Sequence, residues 1–141
     1  MTTPELMYAE LLKKTLSCML WDEPGVTEDQ KINGRIWPAM AHTMIGQKRL
    51  ENIQICIQKI IEESIPGDLI ETGVWRGGAC IFMKGLLDVS KQNRRVYVAD
   101  SFKGLPNPKP EYPQDSGDRH HTYAQLAVSK QDVEENFRKY G

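Results

Sequence analysis

The chain has 141 residues, enough for one modest domain with its own core. Apolar residues make up 40% and charged residues 26%, with a formal net charge of −1, so no basic field favours nucleic acid as a partner. No apolar run approaches the ~20 residues of a membrane span, no signal-peptide pattern opens the chain, and Cys18, Cys56 and Cys80 share no close spacing, which suits a reducing cytoplasm rather than a disulfide framework or a zinc site.

Thr3-Pro4 reads as an N-cap with proline at the first helical position. Leu6, Leu12, Leu16 and Met19 then recur at roughly helical spacing as far as Leu20. The run "DEPGVT" breaks that helix, and the polar residues 28–37 predict irregular chain. "AHTMIGQKRLENIQICIQKIIEES" predicts a connector and a helix whose apolar face is Leu50, Ile53, Ile57, Ile60 and Ile61, stopped by Ile65-Pro66-Gly67.

Asp68–Glu71 and Val96–Asp100 are short strand candidates, both expected to be buried on two faces as in parallel sheets. Between them, 73–78 predicts a turn and 79–87 a helix, so the order is βαβ. "KGLPNPKPEYPQDSGDRHH" carries four prolines and two glycines and predicts a long loop or lid. Residues 129–140 predict a polar helix with Val133 and Phe137 facing inward.

Glu71 and Asp100 end neighbouring strands, where open parallel sheets bind ligands. Gly73, Gly77 and Gly78 let a backbone approach such a ligand and open a helix whose N-terminus favours negative groups. A carboxylate ending the second strand suits a ribose diol, since it accepts from both hydroxyls. The same residues also fit an ordinary strand-to-helix turn, with Asp100 capping the next segment. The dinucleotide pattern G-x-G-x-x-G would need glycine where Trp75 stands, which disfavours NAD or FAD. A cofactor without phosphate, but with a ribose and a zwitterionic amino-acid tail, suits this turn better: S-adenosylmethionine.

"DLIETGVWRGGACIFMKGLL", "VYVADSFKGLP" and "LAVSKQDVEENFRKYG" resemble, in order, the macrocin O-methyltransferase family, which methylates sugar hydroxyls of macrolides; "YAELLKKTLSCMLW" and "AHTMIGQKRLENIQ" are similar to its N-terminal segments. The resemblance implies an S-adenosylmethionine-dependent O-methyltransferase with an α/β, Rossmann-like class I fold, here truncated to N-terminal helices, a βαβ unit and the following helix. Residues 1–66 would form a helical cap on the substrate side, and 67–141 the first part of the cofactor domain. Glu71, Thr72, Gly73, Val74, Arg76 and Gly77 would form the first cofactor motif. Asp100 would hold the ribose with Ser101 and Phe102 beside the adenosine, and Thr43, Met44 and Ile45 would lie over the methionine end.

Family members continue beyond this point with aspartates that hold Mg2+. Those ligands are absent from this chain, so no metal residue is assigned, and Asp115, Asp118, His120 and His121 predict a solvated loop. No catalytic base is assigned either. The expected acceptor is a hydroxylated small molecule, a sugar among them. Little turnover is expected of the chain alone, as is either self-association or pairing with a missing C-terminal half. A non-catalytic remnant that binds only cofactor or a partner is the alternative.

Overall fold

A computed structural model describes residues 2–141. In chain order it contains α1 (Thr3–Leu16), α2 (Glu28–Asn33), α3 (Gly46–Glu62), β1 (Leu69–Thr72), α4 (Gly78–Val89), β2 (Val96–Ala99) and α5 (Lys130–Arg138). The two strands pair in parallel, with Leu69 opposite Val96 and Thr72 opposite Ala99. Between β2 and α5 the chain makes three short 3-10 turns at Pro113–Asp115, His120–Thr122 and Ala124–Leu126.

Helix α4 occupies the centre. Ala79, Cys80, Ile81, Phe82, Met83, Leu86 and Leu87 are all buried, so the helix is apolar around nearly its whole circumference and must be covered on several sides. The sheet covers one side through Leu69, Val96 and Val98, while α1 and α3 cover others through Ala9, Leu12, Leu16, Leu50 and Ile57. Helices α1 and α3 thus share a single core with the βαβ unit. Burying a side chain such as Phe82 or Leu86 contributes roughly 1.5–3 kcal/mol.

Three local expectations are corrected. Helix α1 begins after Thr2, whose backbone amide donates to Glu5 Oε2 at 2.6 Å, and it ends at Leu16 rather than Leu20. Cys18 adopts a left-handed φ of 59°, and the Met19 amide turns back to the Lys14 carbonyl at 2.8 Å, a closure more often made around glycine. Residues 28–33 are helical because Thr27 and Gln30 cap each other and Gly34 ends the turn with φ 61°. This short helix buries Lys31, whose Nζ donates to the Cys18 and Trp21 carbonyls in the turn that follows α1.

The sheet, finally, is covered on one face only. Ile70 and Tyr97 stand opposite each other and are 63% and 47% exposed, because no helix packs on their side.

Helix α5 docks on the turn before α4. Ser129 caps it by accepting from the Asp132 amide. Val133 and Phe137 pack against Gly77, and Asn136 Nδ2 donates to the Arg76 carbonyl at 3.1 Å. Tyr140 closes the contact, its hydroxyl 2.7 Å from His42 Nδ1. His42 also fixes α4 directly, since its carbonyl accepts from the Gly78 amide at 2.9 Å. That approach leaves no room for a side chain: a Cβ on Gly78 would lie 2.5 Å from the His42 oxygen.

Two outcomes follow from these contacts. Gly78→Ala should lower stability by about 1–3 kcal/mol, read by chemical denaturation, since rigid backbone must move to admit the methyl. Burial, aided by Lys139 and Arg76, holds His42 below its ordinary value of 6.5. The unfolded chain therefore takes up this proton first, and stability should fall as pH drops through about 6.5 towards the depressed folded value. His42→Asn should flatten that slope in melting curves recorded across the window.

Candidate functional site

The site lies at the carboxyl ends of β1 and β2. The Gly73 amide donates to the Ala99 carbonyl at 2.8 Å, which carries the sheet pairing one step into the turn. Asp100 then clamps both loops: Oδ2 accepts from the Val74 amide and Oδ1 from the Phe102 amide, each at 2.7 Å. The clamp holds two residues in the left-handed region, Trp75 at φ 49° and Phe102 at φ 55°, a conformation that costs an ordinary residue about 1–2 kcal/mol. Each carboxylate oxygen retains a further lone pair for a ligand.

Beside this clamp is a cavity of about 540 Å³ lined by Met44, Gly73, Trp75, Asp100, Ser101 and the 104–106 loop, with Ala99 and Leu126 completing the wall. Gly73 has φ 82°, and a Cβ there would meet nothing within 4 Å, so its missing side chain leaves open space at the cavity wall. The Trp75 indole donates to the Gln125 carbonyl at 2.8 Å, tying the long loop over the turn. Ser101 Oγ donates to the Gly104 carbonyl at 3.1 Å and shapes the start of the same loop.

Glu71 sits behind the turn rather than in the cavity wall. Its Oε2 accepts from the buried Cys80 thiol at 3.0 Å. Burial raises the Glu71 carboxyl above its ordinary value of 4.5; hydrogen bonding from Cys80 pulls it back, and the Asp100 charge adds to the rise. The same burial, with the adjacent carboxylate, pushes the Cys80 thiol far above its ordinary value.

Of the residues singled out from the sequence, Met44, Gly73, Asp100 and Ser101 meet at the cavity. Thr72 ends β1 beside it and is exposed. Thr43 is buried against Gly78, Ile45 packs on the core, and Val74 is itself core. Gly77, at φ 84°, seats α5. Phe102 points to a separate apolar cavity with Val98, Val133 and Phe137. Arg76 turns away from the site. One of its nitrogens donates to the carbonyls of Pro38, Ala39 and Ala41 at 3.2, 2.7 and 2.8 Å, and the guanidinium lies 4.2 Å from the Trp75 ring centroid.

Sequence reasoning did not place Leu105, Pro106 and Leu126 at the wall; the signal for Leu105 and Pro106 was the proline-rich loop, and Leu126 lies beyond that run. In that loop Asp118 pairs with His120 on the surface. Among the described residues no group of three or more His, Cys, Asp or Glu side chains is arranged to hold a metal ion, so the residues present do not fit one. Nor is any helix among them long and apolar enough to cross a membrane.

Comparison with known proteins agrees with this architecture. The profile of the macrocin-O-methyltransferase (TylF) family matches residues 5–141. The chain is 44% identical to demethyldecarbamoylnovobiocin O-methyltransferase of Streptomyces niveus, over 95% of this chain and 56% of that protein. It is 39% identical to mycinamicin III 3''-O-methyltransferase of Micromonospora griseorubida, over 96% and 59%. The solved structure of the O-methyltransferase NovP matches with a TM-score of 0.86 at 43% identity, again over 96% of this chain and 59% of that one. The chain thus spans a little over half the length of these relatives, and its α/β arrangement with a small parallel sheet matches that of a Rossmann-like methyltransferase. By sequence and by fold, it belongs to the macrocin O-methyltransferase family.

Proposed function

We propose that the chain is the cofactor-holding part of an S-adenosylmethionine-dependent O-methyltransferase acting on a hydroxyl of a glycosylated or otherwise hydroxylated small molecule. The observation that carries the reading is the cavity at the strand ends, where Gly73, Met44, Ser101 and the pre-set Asp100 carboxylate meet. A ribose fits the free lone pairs of Asp100, and an adenine fits the apolar wall made by Leu105, Pro106 and Leu126. Met44, in the cavity wall, covers the amino-acid end of the cofactor, and Glu71 stands outside that wall.

When bound, S-adenosylmethionine supplies a sulfonium-activated methyl group, so that an O–CH3 bond can form as the S–CH3 bond breaks and the hydroxyl proton leaves. The protein's contribution to such chemistry is mainly orientation and electrostatics. The residues brought together here bind and orient; none is assigned as a base. The magnesium implied by the family resemblance finds no ligand set among the described residues, so no step is routed through it. The three free thiols fit the cytoplasm as the proposed compartment.

Calorimetric titration with S-adenosylhomocysteine tests this reading. Binding is expected, and Asp100→Ala should weaken it by about 1–3 kcal/mol, the effect of leaving buried polar partners unpaired. Equal binding by wild type and mutant would remove Asp100 from the site, and a preference for NAD would overturn the cofactor assignment. The exposed Ile70–Tyr97 face and the two unpaired strand edges are also expected to promote self-association. Light scattering over a concentration series should show rising mass, whereas a concentration-independent monomer with a high melting point would contradict it.

A further inference from the structure

We propose that a second cavity, between α5 and the 39–42 connector, binds the carboxylate or phosphate group of a small molecule through Arg76, His42 and Lys139. It measures about 410 Å³, a volume suited to a small organic ligand. It shares no lining residue with the strand-end cavity, and the proposal stands independently of the cofactor reading.

Three elements bring the cations together. Arg76 comes from the turn before α4, His42 from the connector and Lys139 from the end of α5. Buried Asn136 fixes the arrangement: its Nδ2 donates to the Arg76 carbonyl and its Oδ1 accepts from Lys139 Nζ, both at 3.1 Å. Arg76 uses one terminal nitrogen on the carbonyls of Pro38, Ala39 and Ala41, and its remaining side-chain N–H groups have no partner among the described residues. The Tyr140 hydroxyl lies 2.7 Å from His42 Nδ1, which leaves Nε2 as the ring nitrogen open to a ligand.

These charges are not balanced from within. No ion pair joins Arg76 or Lys139 to a carboxylate among the described residues. Asp132 also lines the cavity, but its Oδ2 accepts from Ser129 Oγ at 2.6 Å, at the start of its own helix. Glu23 acts on Arg76 from outside the wall, and its Oε1 accepts from the Ala39 amide at 2.8 Å. At His42 the balance is positive: burial first, then Lys139 and Arg76, hold the imidazole below its ordinary value, and no acid opposes them. A planar guanidinium and a rotatable ammonium around one hollow suit an oxyanion. Ala124, Ala127 and Val128 offer the rest of such a ligand an apolar wall.

The test is amide and imidazole NMR of the 141-residue chain near neutral pH. Acetate represents a carboxylate and sulfate a phosphate group, each titrated at constant ionic strength against sodium chloride. Saturable shifts are expected at His42, Arg76, Asn136 and Lys139 with at least one of the two anions, and the tighter one names the group recognised. With that anion bound, the His42 titration midpoint should rise, since its charge offsets those of Lys139 and Arg76. Lys139→Gln, a change at an exposed position, should weaken binding about two- to fivefold, the range of an exposed ion pair, and Lys139→Arg should restore it. No saturable shift beyond that of chloride, or equal affinity in Lys139→Gln, would overturn the proposal. So would displacement of the anion by S-adenosylhomocysteine, because the cavity would then belong to the cofactor site.

Discussion

The structure depends on one constraint: α4 has almost no surface that tolerates water. Its burial requires a sheet on one side and helices on others, and that requirement places α1 and α3, which precede the βαβ unit in the chain, against the same core. The N-terminus of α4 must also be approached closely by other backbone. Gly78 admits the His42 carbonyl there, and Gly77 admits Val133 and Phe137 of α5. The glycines in "WRGGAC" therefore do two kinds of work. Gly73 opens the cavity, while Gly77 and Gly78 let the surrounding elements close on the helix.

The two acids near the strand ends are held in different ways. Asp100 is fixed by backbone amides from both loops and lines the cavity. Glu71 is held against α4 by a thiol in a drier setting. Asp100 is thus oriented before any ligand arrives, which reduces the ordering that binding requires. Trp75, which argued against a dinucleotide on grounds of bulk, lines the cavity and anchors the long loop through Gln125.

The sequence made the βαβ order legible because hydrophobic runs, glycines and strand-end acids coincide within residues 67–100. Helix α2 escaped notice because a single polar turn has no apolar period; its signature was the Thr27–Gln30 pair and Gly34. The end of α1 escaped because Cys18 takes a left-handed conformation that its residue type does not advertise. Ile70 and Tyr97 read as buried because strand patterning cannot say how many layers cover a sheet. At the candidate site, the placement of Asp100 and Gly73 at the strand ends was legible. Arg76 was not, because its carbonyl partners in residues 38–41 come together with it only in three dimensions.

The central claim is that the strand-end cavity, and not the other hollows of the chain, holds S-adenosylmethionine or its demethylated product. Backbone amide NMR during titration with S-adenosylhomocysteine tests it most directly. The account predicts saturable shifts concentrated at Gly73, Trp75, Asp100 and Ser101, with Leu105 and Leu126 following as the loop wall responds. Saturable shifts confined to the apolar cavity of Val98, Val133 and Phe137, or no saturable shift at any concentration, would contradict it.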